Sequence, residues 1–261
     1  MNNKFLETGL EDQKQYHIRC KQGDIAPVVI VPGDQSRVKK IIEQFDEKQL
    51  IADNRGLITY TGKYNNYPIS VTSTGMGGPS SAIVYEELIN IGAKVLIRLG
   101  SVAGLNEEMN EGDIVIPYAC IRDDGATKYY VPENYPAAAN PDIYSILKNN
   151  ALKSNLKIFS GINWTHSFFY SRESEYFLNW ANKGVISMEM EAATLFVIST
   201  LRNVKAAFVG ICYANRYRQI KGINMDLSVK NPDRDVIQIS TRKSVSLILN
   251  SLEDIYKNIH Y

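Results

Sequence analysis

At 261 residues, 44% of them apolar, the chain has enough material for one large core, and its 29 Lys and Arg nearly balance 28 Asp and Glu. That balance removes the footprint of a nucleic-acid or anionic-membrane binder and leaves a small molecule as the expected ligand. Cys20, Cys120 and Cys212 stand far apart, with no CxxC or Cys-His spacing, which argues against a disulfide framework or a zinc site and for a reducing compartment.

In chain order, residues 1–12 are polar and mixed in charge. No apolar segment of leader or membrane-spanning length follows, so the cytoplasm is the expected location. Short β-rich runs then alternate with longer stretches of helical period. Strands are predicted over 28–31, 57–64, 69–73, 95–98, 113–117, 158–164, 184–187 and 206–212. Helices are predicted over 36–44, 80–91, 142–152, 174–183, 191–201 and 240–259, the last with Val245, Leu249, Leu252 and Ile255 on one stripe. The pattern is α/β. It predicts a single domain, 1–261, with a central mixed, mostly parallel twisted sheet flanked by helices, and no internal repeat. Two turn-rich stretches, 122–141 and 213–235, carry more charge and aromatic surface than a connection needs, as functional loops do.

Val28-Val29-Ile30-Val31-Pro32-Gly33-Asp34-Gln35-Ser36-Arg37 reads as a buried strand emptying into a tight turn at a helix start. Main-chain N–H groups at such a turn face an anion, and Arg37, one turn into the helix, adds a bidentate fork. A structural turn with a solvated Arg is the alternative. Ser73-Thr74-Gly75-Met76-Gly77-Gly78-Pro79-Ser80 likewise follows a strand and opens a helix, and Arg98-Leu99-Gly100-Ser101 closes another strand with a glycine and a hydroxyl. Ligands in open α/β sheets gather at such carboxyl ends. Neither GxGxxG nor GxxxxGK[ST] occurs, which excludes a dinucleotide fingerprint and a P-loop. Glycine turns with Arg37, Arg55, Arg98 and Ser101 suit a phosphate ion or monoester, whereas Arg55 and Arg98 as surface ion pairs is the other reading. In Ser187-Met188-Glu189-Met190-Glu191-Ala192-Ala193-Thr194, two acids at i and i+2 share one side of an extended segment. A ribose offers hydroxyls to such a pair; acids favoured by the helix macrodipole are the alternative.

Together these residues resemble the nucleoside phosphorylase family that includes uridine phosphorylase, the hexameric purine nucleoside phosphorylases and methylthioadenosine phosphorylase. The resemblance runs from about His17 to the last helix. It rests on His17, Val31-Pro32-Gly33-Asp34 with Arg37, Asn54-Arg55-Gly56, the 73–80 and 98–101 motifs, Glu111-Gly112-Asp113, and Met188-Glu189-Met190-Glu191-Ala192-Ala193. It implies phosphorolysis, in which nucleoside plus phosphate gives free base plus ribose 1-phosphate, with phosphate as co-substrate and no cofactor or metal. It further implies that Gly33, Arg37, Arg98 and Ser101 hold phosphate and that Arg55 is lent by a neighbouring subunit. Glu191 would bind the ribose 2′- and 3′-hydroxyls with Met190 and Glu189 close by, and His17 would reach the 5′-hydroxyl in the adjacent subunit. The implied assembly is a homo-oligomer, dimer or hexamer, with a shared site.

At the base end, purine-cleaving members have an acid in a Ser-Asp pattern after the late strand. In Cys212-Tyr213-Ala214-Asn215-Arg216 that place is taken by Ala214, which cannot donate a proton. An apolar residue followed by Asn-Arg is similar to uridine phosphorylases, and Arg216 suits the carbonyl oxygens of a leaving uracil. Those enzymes also read uracil with a Gln and an Arg after a Phe-Tyr pair. Here Phe168-Phe169-Tyr170-Ser171-Arg172-Glu173-Ser174 puts Arg172 and Ser174 in those places. The expected base-binding residues are therefore Phe168, Phe169, Arg172 and Arg216, with catalysis resting on Arg98, Glu191 and Arg216. His166 is expected to be structural, and Gly56, in place of an acid, implies no monovalent cation between subunits. A purine or methylthioadenosine phosphorylase with its acid displaced to Asp226, Asp233 or Asp235 is the second reading. A nucleoside-binding protein without turnover is the third.

Overall fold

Val28–Ile30 (β1) is buried throughout and lies between Tyr67–Thr72 (β4) and Val95–Gly104 (β5), parallel to both. A strand covered on both faces needs apolar side chains at every position, which is why this run shows so plainly in the sequence. The computed structural model describes residues 13–170, 174–223 and 234–259. Among them one twelve-stranded sheet runs from Glu47–Asn54 (β2) through Leu57–Tyr64 (β3), β4, β1 and β5 to Val185–Glu189 (β11), Ile162–His166 (β10), Ala119–Asp123 (β7) and Ala137–Ala138 (β8). Lys205–Asn215 (β12) also pairs with β5 and carries Ile114–Val115 (β6), which holds Ile158–Phe159 (β9). The sheet is mixed. Pairing is parallel in β4–β1–β5–β12 and in β7–β10–β11, and antiparallel in β2–β3–β4 and where β11 meets β5.

Alternation along the central strands divides the core. Val28, Ile30, Ile97 and Leu99 face Gln35–Ile42 (α1), Pro141–Lys153 (α3), Arg234–Asn250 (α7) and Leu252–Lys257 (α8), through Val38, Leu147, Val245 and Ile255. Val29, Val31, Leu96 and Phe208 face Gly78–Asn90 (α2) and Ala192–Leu201 (α5), through Leu88 and Phe196. A smaller cluster around Trp164, Phe177 and Met188 seats Ser174–Ala181 (α4), close to Arg216–Lys221 (α6). The three cysteines are free and buried, and burial pushes the thiol of Cys20 up to about 11 and that of Cys212 up to about 12. Among the described residues no helix is long and apolar enough to cross a membrane.

Six expectations need correction. β2 was not expected as a strand because Glu47-Lys48-Gln49-Leu50 is exposed and polar, yet it pairs with β3 along its length. β5 continues to Gly104, so Arg98 and Ser101 lie within a strand and do not close it. The strand expected over 158–164 breaks at Gly161 into β9 and β10, which join different neighbours. The helix expected over 240–259 starts at Arg234 and is interrupted at Ser251, and β12 with α6 takes up residues 213–221 of the expected late loop. The 122–141 stretch includes β8 and is tied down by Arg122, whose Nη1 donates to the carbonyls of Pro132 (2.7 Å) and Tyr135 (2.8 Å).

Candidate functional site

The turn after β1 is set by Asp34, the N-cap of α1. Its Oδ1 accepts from the Arg37 N–H at 2.9 Å and from Ser36 Oγ at 2.5 Å. Burial raises the Asp34 pKa, but the Ser36 and Arg37 hydrogen bonds and the Arg37 charge outweigh it and leave the carboxyl below 3.8. Capping aims Arg37 inward: Nη2 donates to Ser101 Oγ at 2.8 Å and to the Tyr213 hydroxyl at 3.2 Å, which joins α1, β5 and β12 at one point.

Beside it, Arg98 is 4% exposed. Its Nε donates to Glu189 Oε2 at 3.0 Å and its Nη2 to Glu191 Oε2 at 2.5 Å, while Nη1 has no partner. The guanidinium lies across Gly100, where an added Cβ would sit 2.7 Å from Nη2, so a larger residue there would displace it. Burial alone would lower the Arg98 pKa; the carboxylates of Glu191 and Glu189 reverse that and raise it. Glu189 is fully engaged. Its Oε1 accepts from Asn163 (3.0 Å) and Thr165 (2.6 Å), and Oε2 also accepts from the N–H groups of Glu191 (2.8 Å) and Ala192 (2.9 Å). It therefore ties β10 and β11 to the start of α5. Glu191 is held by Arg98 on one oxygen and by the Gly77 N–H on the other, at 2.6 Å, so the glycine turn after β4 is spent on this carboxylate. Burial raises the Glu191 pKa above 4.5, Arg98 counters it, and the Glu189 charge adds to the rise.

These groups line a cavity of about 680 Å³. Gly33, Arg37, Arg98, Ser101, Glu189, Met190 and Glu191 form one end, and Phe169, Tyr170, Phe177, Met188, Ala214, Arg216 and Gln219 the other. Arg98 is thus no surface ion pair. Asn215 caps α6, accepting from the Arg218 N–H, and its Nδ2 donates to the carbonyls of Asn106 and Met109, which places Arg216 over the Phe177 ring at 5.1 Å.

The structure does not gather every expected residue. Phe168 is not on the cavity wall; it packs inward on Trp164 and His166, ring centroids 5.6 and 4.6 Å away, and Phe169 and Tyr170 take the cavity side. His166, expected to be structural, does line the cavity. It is 5% exposed, its Nδ1 has no partner, and burial lowers its pKa below 6.5, so the ring is neutral at pH 7. His17 and Arg55 lie away from the cavity but next to each other. His17 Nδ1 sits 2.6 Å from Glu87, its carbonyl accepts from Asn54, and Arg55 stands over the Tyr16 ring beside it. Arg172, Asp226 and Asp233 lie outside the described residues, and Asp235 is not among the cavity's lining groups. Sequence reasoning missed Tyr213, Asn163, Thr165 and Gln219. Only Gln219 left a signal, its i, i+3 spacing from Arg216 at a helix start. Among the described residues no group of three or more His, Cys, Asp or Glu is placed to hold a metal ion.

A family profile described as Phosphorylase superfamily matches residues 27–252. A uridine phosphorylase of Thermococcus kodakarensis is 40% identical over 219 residues, 79% of this chain and 79% of that protein. A guanosine phosphorylase of Halorubrum lacusprofundi is 28% identical, over 90% of this chain and 98% of that one. The crystal structure of uridine phosphorylase from Vibrio fischeri ES114 superimposes with a TM-score of 0.85 at 28% identity, covering 94% of this chain and 99% of its own.

Proposed function

Because the chain belongs to the phosphorylase superfamily, we propose that it is a uridine-like nucleoside phosphorylase, a pentosyltransferase that cleaves the N-glycosidic bond with inorganic phosphate. The observation that carries this reading is the buried Arg98–Glu191 pair standing beside the Arg37–Ser101 pair in one cavity. Two guanidinium groups and a hydroxyl suit a phosphate dianion, and Arg98 still has Nη1 to give. Glu191 offers carboxylate lone pairs to vicinal ribose hydroxyls, and Met190 offers its side chain to the sugar. Phosphate, then, is held in line with C1′ on one side and the base leaves on the other.

In this mechanism the glycosidic bond loosens first. Positive charge grows on the sugar ring and negative charge on the base; the phosphate oxygen then bonds to C1′ while the bonding pair leaves with the base. Phosphate and Glu191 stabilise the sugar cation. Arg216 meets the anionic base at a carbonyl oxygen, which favours uracil, since Ala214 supplies no proton to a purine nitrogen. The carboxylates on the cavity wall, Asp34, Glu189 and Glu191, all belong to the other end. Glu189 acts as a positioning residue, with Oε2 committed to Arg98 and the start of α5 and Oε1 to Asn163 and Thr165 on β10.

His17 and Arg55 form one surface patch through Tyr16 and Asn54, which supports their reading as groups that complete the site of a neighbouring subunit in a homo-oligomer. The proposed setting is cytoplasmic nucleoside catabolism and salvage. Base release from uridine, thymidine, inosine and methylthioadenosine, each with and without phosphate, tests the proposal. Phosphate-dependent uracil release is expected. Purine release in its place overturns the pyrimidine assignment, and binding without release makes the chain a nucleoside-binding protein.

A further inference from the structure

Gln219 is the single side-chain carboxamide among the described residues that line the cavity, and nothing above assigns it a role. It stands one helical turn after Arg216 on α6, and its Oε1 accepts from Arg216 Nη1 at 3.3 Å. A guanidinium carries only donors, so the oxygen is the amide end that Arg216 holds. Rotating the amide by half a turn would set its NH2 against the cation. Arg216 is itself kept in place by Phe177 beneath it and by the Asn215 cap before it. With Oε1 taken by Arg216, Nε2 is the amide atom left for a ligand, and Arg216 and Gln219, both on the cavity wall, together supply donors there.

Resting on the phosphorylase reading, we infer that Gln219 is a specificity-determining residue, and that the Arg216–Gln219 edge selects nucleobases carrying a ring carbonyl beside an N–H over those carrying an amino group there. Uracil, thymine, hypoxanthine and guanine present a carbonyl oxygen that accepts from Nε2. Cytosine and adenine present an amino group, which would meet Nε2 donor to donor and leave both unpaired. The rest of this end imposes no preference between the two classes: Phe169, Phe177 and Met188 offer ring and thioether surface, and the Tyr170 hydroxyl and neutral His166 ring can each serve as donor or acceptor. The donor edge thus sorts bases by functional group, while cavity shape sorts them by ring size.

The test uses two matched pairs of substrates, uridine with cytidine and inosine with adenosine, because each pair keeps ring size and changes only this edge. Steady-state kcat/KM for all four, with saturating phosphate, is compared between the unaltered full-length protein, Gln219→Ala and Gln219→Glu. In the unaltered protein the oxo member of whichever pair is turned over should be favoured by about a hundredfold or more. Gln219→Ala should reduce that ratio about tenfold through the oxo substrate, with the KM for phosphate unchanged, since the phosphate groups lie at the other end. Gln219→Glu keeps the contact with Arg216 but replaces the remaining donor by an acceptor, so it should reduce the ratio further. An unchanged ratio in both variants overturns the inference and leaves phosphorolysis standing. An amino-favouring unaltered protein overturns it as well. No phosphate-dependent cleavage of any of the four removes the phosphorylase reading, and this inference with it.

Discussion

Arg98, Glu189 and Glu191 are all less than a tenth exposed and sit on strands or where a strand meets a helix, whereas Phe169 and Tyr170, across the same cavity, are 74% and 89% exposed. The first end is a closed hydrogen-bonded network in which Glu189 alone holds four elements in place. The second is built from the segment after β10 and from α4 and α6, where the Asn215 cap anchors α6 and Arg216 is held over Phe177 and by Gln219 at 3.3 Å, while Phe169 and Tyr170 stand open. The difference teaches a division of labour. In the proposed phosphorylase, the groups assigned to phosphate and ribose are preorganised by low-dielectric burial, and those assigned to the variable base include the open rings of Phe169 and Tyr170 beside the buried Phe177.

Breaking the buried end should cost most. Arg98→Ala should remove at least ~3 kcal/mol of transition-state stabilisation and also lower the melting temperature, because Glu189 and Glu191 would then face each other without their cation. Steady-state kinetics and a thermal melt measure both, and unaltered turnover would refute the phosphate role. Arg55→Ala should reduce kcat/KM roughly a hundredfold with little change in stability, since the side chain is exposed. Co-expressing Arg55→Ala with Arg98→Ala then separates a shared site from a self-contained one: mixed oligomers regain activity only if Arg55 serves its neighbour.

Acidity sharpens the contrast at Glu191. Its folded-state pKa is raised, so on lowering the pH it takes up a proton above 4.5 and loses both its charge toward Arg98 and its acceptor for ribose. The acid limb of kcat/KM should therefore lie above 4.5 and disappear in Glu191→Gln, as a pH–rate profile of the two proteins would reveal. At the open end the effects shrink. Arg216→Ala should hurt uridine cleavage about tenfold more than cleavage of a purine nucleoside; equal losses would mean that Arg216 is structural or touches phosphate. Phe169→Ala should raise the nucleoside KM a few-fold and leave the melt unchanged, because an exposed ring contributes little to the core.

How much could be read in advance follows the same division. The Val28 run, the Asp34 cap with Arg37, and the Glu189-Met190-Glu191 stretch carry their signal locally, in an apolar run, a cap and a pair of adjacent acids. Phe168 was misplaced because three consecutive aromatic residues leave open which of them turns inward, and that depends on how the segment folds back onto Trp164 of the preceding strand and Phe177 of the following helix. His166 passed for a core histidine because a ring walling a cavity has the same neighbours in sequence as one inside it. Residue 172 lies outside the described residues, so its expected contact with the base stands as a proposal.

The sequence by itself determined the α/β class, the central strands and the chemical kind of site, because buried strands, caps and charged motifs are short-range consequences of residue type. Tertiary structure alone decided that Arg98 spans both acids, that Tyr213 completes the Arg37 contact and that Gln219 shares a wall with Phe169. Those contacts join residues tens to more than a hundred positions apart, and the pairing of β5 with β1, β11 and β12, and of β11 with β10, brings them within hydrogen-bonding or cavity distance.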